Sequence, residues 1–127
     1  MFYNCTSLTT VPELPATTLV NYCYYEMFMA CHSLQNVPKL PAETLVPYCY
    51  SYMFNATKCN YVNAMFLTAP TSGLSTPTTS WLNEVPKTGI FVKNINATWN
   101  VYGDYAVPSG WTIIYFDPSD NKYYIDQ

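Results

Sequence analysis

The chain has 127 residues, of which 50% are hydrophobic and 10% charged, so we expect it to fold as one domain. Its net charge is −3, from five lysines and eight acids, and it contains no arginine. A nucleic-acid-binding protein needs a basic face to contact phosphates, so the composition argues against that class. No apolar run approaches the roughly 18 residues of a membrane span, and the residues after Met1 lack a signal-peptide pattern.

Residues 1–26 and 27–52 are two copies of one sequence repeat. They share 16 of 26 residues without a gap. A fixed period of this length predicts stacked rungs, none of which buries its apolar face alone. In the first copy Leu8, Val11 and Leu14 are spaced by three residues and are followed by Pro15. This spacing predicts a short strand that leads into a tight bend.

The second part of each copy has the spacing of a helix. Leu45, Cys49 and Tyr52 follow an i, i+4, i+7 pattern, and Thr44 is a suitable residue for the start of the turn. Pro47 is tolerated in the first turn of a helix. We therefore expect each rung to contain a short strand, a proline bend and a short helix.

A third copy begins at Met53 and then departs from the pattern. Residues 53–64 form a degenerate rung, because the "LPATTL" half of the repeat does not return. Residues 68–80 are rich in Pro, Thr and Ser, which predicts a loop. The later stretches "GIFVKN" and "GWTIIYF" have strand composition. The expected organisation is an α/β repeat over 1–64 and a loop with a β-rich C-terminal cap over 65–127.

The repeat phrases MF-x-x-C-x-S-L, VP-x-LPA-x-TL and YCY resemble the leucine-rich repeats of bacterial surface proteins of the BspA type. The stretches "WLNEVPKTGIFVKN" and "VPSGWT" are similar to segments that close such arrays in proteins of gut bacteria and their phages. The resemblance implies a leucine-rich-repeat-like solenoid, extracellular at a bacterial surface or on a virion. It also implies adhesion to host or bacterial surface proteins or glycans, with no catalytic residues. Met1 shares the repeat position of Met27 and Met53, so we expect a C-terminal fragment of a longer repeat protein.

Candidate binding positions lie between the apolar residues of the predicted strands, where the two copies differ. They are Thr9, Thr10, Glu13, Gln35, Asn36 and Lys39. Repeat proteins commonly bind ligands on this face. Sequence drift at solvent-exposed positions would explain the differences between the two copies equally well. We expect a non-catalytic recognition module. The alternative is a structural spacer or decoration domain without an external ligand, and exposed rung edges would allow self-association.

Catalytic and metal sites have little support in the sequence. His32 is the only histidine, and its position in the repeat is occupied by Thr6 in the first copy. No Cys-x-x-Cys pair occurs, so we expect no metal, no cofactor and no enzymatic activity. The sequence "DPSDNK" at 117–122 is typical of a turn and lacks the oxygen-rich pattern of a calcium loop.

Two sets of side chains leave alternatives open. The five cysteines follow the repeat, as buried apolar fillers or as disulfides of an extracellular protein. Tyr22 aligns with Tyr48, and Tyr24 aligns with Tyr50. One of these pairs should face the core, while the other packs at the surface or forms an exposed aromatic strip, of the kind that binds partners.

Overall fold

The computed structural model describes residues 2–9, 11, 13–68, 76–99, 102–103 and 105–125. Within these residues the fold is all-β and contains no helix. Its four strands are β1 (Tyr61–Ala64), β2 (Ile90–Asn94), β3 (Thr112–Asp117) and β4 (Lys122–Tyr124). They form one sheet in the order β1-β2-β3-β4, with two parallel pairings followed by an antiparallel one. The predicted α/β leucine-rich-repeat-like solenoid is therefore wrong.

The segment predicted as a helix in the second copy is a run of consecutive turns. The amide of Cys49 donates to the carbonyl of Val46 at 3.2 Å, and the amide of Met53 donates to that of Tyr50 at 3.0 Å. The amide of Tyr50 instead donates to the carbonyl of Pro77, 2.8 Å away on another segment. An α-helix directs its amides to carbonyls four residues back along the same segment. The alternation of local and long-range bonds excludes a helix here.

The turn runs have a repeat of four residues, which explains why the sequence spacing indicated a helix. Non-glycine residues with positive φ recur at this interval: Tyr22, Glu26 and Ala30, then Tyr48, Tyr52 and Ala56, then Ser80 and Glu84. A repeat of four residues places apolar side chains at the same i, i+4 spacing as a helix. The pairing of alternate amides with a neighbouring segment decides between the two structures.

Successive turn runs lie on one another and are joined by backbone hydrogen bonds. Donors in residues 22–30 pair with carbonyls in residues 47–55: Tyr22 with Pro47, Tyr24 with Cys49, Glu26 with Ser51, Phe28 with Met53 and Ala30 with Asn55. Phe2, Phe28 and Phe54 stack with centroids 5.4 and 5.9 Å apart. Identical residues at one period therefore meet across the stack, and each ring covers the next.

Part of the predicted loop at 68–80 belongs to this stack. The amide of Phe54 donates to the carbonyl of Trp81 at 3.0 Å, and that of Tyr52 donates to the carbonyl of Thr79 at 2.9 Å. Residues 76–84 thus form a further turn run beside the one before it. Residues 69–75 of the predicted loop lie outside the described residues.

The strands predicted in "GIFVKN" and "GWTIIYF" are confirmed as β2 and β3. The strands predicted in the first two copies are absent from the described residues, apart from one parallel bridge between Leu40 and Ala64. Through that bridge and the β1–β2 pairing, one sheet continues from residues before 65 to residues after it. The predicted turn is also confirmed, because Asn121 donates to the Asp117 carbonyl at 2.8 Å between β3 and β4.

The main core lies between one face of the sheet and the turn runs. Val62, Ala64 and Phe91 point into it, and the indole of Trp81 fills its centre with no exposed surface. The opposite face of the sheet carries a smaller cluster of Met65, Val92 and Phe116. Side chains alternate between the two faces along each strand, so Lys93, two residues after Phe91, belongs to the face of the main core.

Candidate functional site

Two of the six predicted binding positions, Glu13 and Lys39, line the same cleft. Side chains at five of them are exposed, namely Thr9, Glu13, Gln35, Asn36 and Lys39, and the sixth, Thr10, lies outside the described residues. Glu13 and Lys39 line a shallow cleft of about 290 Å³ together with Leu14, Pro15 and Pro41. The Lys39 ammonium lies 4.7 Å from the ring centroid of Phe116. The structure therefore brings Glu13 and Lys39 to one cleft and leaves the assignment of the others as a prediction.

A cluster of four tyrosines is the most distinctive surface of the turn runs. We call Tyr22, Tyr25, Tyr48 and Tyr52 the tyrosine patch. Tyr22 and Tyr48 stack with centroids 4.6 Å apart and an interplanar angle of 13°. Tyr25 stands edge-on to Tyr22 at 5.3 Å, to Tyr48 at 6.4 Å and to Tyr52 at 6.0 Å. These are favourable geometries for aromatic pairs, so the rings hold one another in place.

The backbone of the turn runs sets the position of the patch. Tyr22 and Tyr48 occupy equivalent places in two copies and have φ of 63° and 59°. The amide of Tyr22 donates to the carbonyl of Pro47 at 3.2 Å, which holds the two runs in register. Positive φ is uncommon for a residue with a bulky side chain, and here it is maintained by bonds to the neighbouring run.

The two tyrosine pairs divide between the core and the surface. Tyr24 and Tyr50 stack 6.1 Å apart, and Tyr50 is 1% exposed. Tyr22 is 55% exposed and Tyr48 is half-buried. The expectation that one pair faces the core is confirmed, and the other pair belongs to the exposed aromatic cluster.

Two tyrosine hydroxyls, one buried and one within the patch, have raised pKa values. Burial raises the pKa of Tyr50 far above its ordinary range. Partial burial, followed by the adjacent Glu26 carboxylate, raises the pKa of Tyr25. Each of these hydroxyls stays neutral at physiological pH, and on the exposed Tyr25 it can donate a hydrogen bond beside an apolar ring. This combination suits contact with sugars and with protein loops.

Sequence reasoning missed two members of the patch. Tyr25 aligns with Ser51, and Tyr52 aligns with Glu26, so neither tyrosine repeats between the copies. They reach each other because the runs stack, which places residue 25 of one run beside residue 52 of the next. The sequence pattern assigned Tyr52 to a predicted helix, and only the tyrosine content, 13 of 127 residues, pointed to Tyr25.

The cysteines are free thiols in the structure. Cys31, Cys49 and Cys59 are buried, as the filler interpretation predicts, whereas Cys23 is exposed and Cys5 is half-buried. The Cys31 thiol donates to the carbonyl oxygen of Phe2 at 2.8 Å, and burial raises its pKa. A nucleophilic cysteine requires a lowered pKa, so this environment does not activate Cys31.

Three further observations bear on what the chain can bind. The described residues contain no group of three His, Cys, Asp or Glu that could hold a metal ion. No helix in the described part of the chain has the length and apolar character needed to cross a membrane. His32, the only histidine, is exposed.

No protein-family model matches the sequence, and no curated protein or solved structure matches it significantly. The function of the chain must therefore be inferred from its own residues.

Proposed function

We propose that the chain is a non-catalytic recognition or adhesion module of a bacterial cell-surface or virion protein. It acts outside the cell and binds a surface protein or glycan. The tyrosine patch is the observation that carries this proposal. The similarity of the repeat phrases to bacterial surface proteins supports the extracellular setting.

The patch has the physical properties of a binding surface. Tyr22 and Tyr25 are 55% and 36% exposed, so their rings offer apolar area together with hydroxyl groups. The four rings already contact one another in the free protein. Binding a partner would therefore cost little side-chain entropy, because the rings are already ordered. Tyrosine is also enriched among the residues that contribute most to binding energy.

The experiment is a binding screen of the purified chain against immobilised matrix proteins, mucin and bacterial surface glycans. The test variant is Tyr25→Ala, because Tyr25 contacts the three other rings of the patch. The control is Tyr102→Ala, which removes an exposed tyrosine outside the patch. We expect Tyr25→Ala to weaken binding by about tenfold or more, as for an aromatic hot spot, and Tyr102→Ala to have little effect.

A third variant tests the strand positions predicted from the sequence. It carries alanine at Gln35, Asn36 and Lys39, which are all exposed. If this variant loses binding while Tyr25→Ala retains it, the recognition surface is at the strand positions and the tyrosine patch is not. If Tyr102→Ala loses as much affinity as Tyr25→Ala, the patch has no specific role.

A second candidate function is a structural spacer in a larger assembly, and one observation favours it. The carbonyls of Met27 and Met29 accept bonds from Phe2 and Asn4. The amide of Tyr22 donates in turn to the Pro47 carbonyl, so each run bonds to the next across the stack. Runs that bond to one another in this way can extend a rigid stack within a larger assembly.

The spacer hypothesis makes a distinct prediction for the same sample. The folded chain would give no signal in the binding screen and would associate with itself in sedimentation velocity as its concentration rises. Tyr22→Lys would place a charge on this run and should abolish that association. A monomer at all concentrations, together with a positive binding screen, would exclude the spacer function.

A further inference from the structure

Lys93 lies on the face of β2 that otherwise carries apolar side chains. It follows Phe91 by two residues, and both face the main core. Only 3% of its surface is exposed. Lysine is almost never buried this deeply without a charged partner, because removing an ammonium group from water is costly.

The described surroundings of Lys93 contain electron-rich groups. Its Nζ donates a hydrogen bond to the carbonyl oxygen of Trp99. It also lies 4.5 Å from the ring centroid of Trp99 and 5.5 Å from that of Tyr115. Among the described residues, no carboxylate forms an ion pair with Lys93. An ammonium group has three donors, so it retains capacity for an anionic acceptor.

A cleft opens beside this ammonium group. Its volume is about 530 Å³, within the usual range for small-ligand sites, and its lining residues are Lys93, Ile95, Asn96, Ala97, Thr98, Trp99 and Tyr115. Asn96 and Thr98 contribute exposed polar side chains. The cleft therefore combines a buried cation, two aromatic rings, an amide and a hydroxyl.

The segment after β2 is held in a defined conformation. The amide of Asn96 donates to Oδ1 of Asn94 at 2.9 Å, and the amide of Ala97 donates to the Asn94 carbonyl at 2.9 Å. The indole Nε1 of Trp99 donates to the carbonyl of Phe66 at 3.2 Å, so the ring has a fixed orientation. The lining groups are thus in place before any ligand arrives, which lowers the entropic cost of binding.

We propose that this cleft binds the carboxylate of an acidic sugar, such as a uronic acid. The carboxylate accepts charge-assisted hydrogen bonds from Lys93 and places a negative charge beside its ammonium group. The sugar ring packs against an aromatic side chain, and its hydroxyls meet Asn96 and Thr98. The site shares no residue with the tyrosine patch, so its test does not depend on the proposed recognition function.

An acidic sugar fits the lining better than an acidic peptide does. A peptide that binds by strand addition needs a free sheet edge, whereas β2 is paired on both sides, with β1 and β3. The lining instead provides aromatic surface and separate polar side chains.

Titration of the intact chain with glucuronate, glucose and N-acetyl-aspartate amide, followed by amide NMR at low salt, tests the proposal. We expect glucuronate to bind at least about tenfold more tightly than glucose, since a hydrogen bond to a charged group is worth that factor. Lys93→Met retains the aliphatic stem and should abolish the preference. The control is Lys87→Met, which removes an exposed lysine and should leave glucuronate binding unchanged.

A measurement on the unaltered protein covers the case in which Lys93→Met does not fold. Burial lowers the pKa of Lys93 in the free protein, and a bound carboxylate should raise it. The titration of the labelled Nζ reports this change, and glucuronate binding should weaken as pH rises through the pKa.

Three results would overturn the proposal. The first is equal affinity for glucose and glucuronate, and the second is full binding by a folded Lys93→Met variant. An unchanged Nζ titration in the presence of saturating glucuronate would have the same meaning. If the aspartate amide binds more tightly than glucuronate, the ligand of the cleft is an acidic peptide and not an acidic sugar.

Discussion

Trp81 is the side chain whose replacement tests the packing of the core most directly. It is completely buried, and its ring lies 5.8 Å from that of Tyr50, 6.0 Å from that of Phe66 and 5.9 Å from that of Phe91. Its Nε1 donates to the buried Ala106 carbonyl at 2.9 Å. One side chain thus connects a turn run, the sheet and a later segment.

Two substitutions separate the contributions of the ring and of the hydrogen bond. Trp81→Phe retains an aromatic ring and leaves the Ala106 carbonyl unpaired, which should lower the free energy of unfolding by about 1–3 kcal/mol. Trp81→Ala also removes the ring contacts and should lower it by about 3–5 kcal/mol or more.

A matched control is available at Trp111. Its Nε1 donates to the carbonyl of Pro86 at 2.9 Å, and Pro86 is exposed. Water can reach this acceptor after Trp111→Phe, so the loss should be smaller than for Trp81→Phe. Urea unfolding followed by far-UV circular dichroism measures all three variants, with slopes that should not change. Equal losses for the two Trp→Phe variants would refute the argument that burial of the acceptor decides the cost.

Two further predictions concern a close contact and thiol reactivity. A Cβ on Gly89 would lie 2.6 Å from the Asn60 carbonyl oxygen and 2.7 Å from the Trp111 ring. Gly89→Ala should therefore cost about 1–3 kcal/mol in thermal unfolding, and an unchanged midpoint would contradict this packing. Cys23 is exposed and should react with iodoacetamide in the native protein, whereas burial raises the pKa of Cys59 to about 12 and should protect it until unfolding. Equal labelling of the two thiols in the native protein would contradict their placement.

The sequence period predicted which side chains meet. The spacing of 26 residues placed Phe2, Phe28 and Phe54 at one repeat position, and the structure stacks them. The same spacing aligned Tyr22 with Tyr48, and their rings lie in contact. Equal lengths of chain between equivalent residues allow successive runs to lie in register, so these contacts follow from the period alone.

The spacing of apolar residues could not predict the secondary structure of the repeats. Cys49 and its neighbours have the spacing of a helix, yet the amide of Tyr50 bonds to Pro77. Pro77 lies outside the two clear copies, so a local pattern holds no information about it. The hydrogen-bond partner of each alternate amide is determined by another segment of chain, and that partner selects turns over a helix.

The sequence likewise indicated some residues of the candidate sites and not others. Sequence differences between copies indicated Glu13 and Lys39, which do line one cleft. Tyr25 does not repeat between the copies, and the strand pattern of "GIFVKN" does not indicate that the Lys93 side chain is buried.

The sequence by itself determined the repeat, its cross-copy contacts, two of the strands and the turn after β3, because each depends on residues close together or separated by a constant period. Only the tertiary structure decided that the fold is all-β, that four tyrosines form one surface and that a lysine lies on the core face of β2. These features arise where segments from different parts of the chain meet. Their hydrogen bonds, ring contacts and burial depend on the neighbours that each segment acquires on folding.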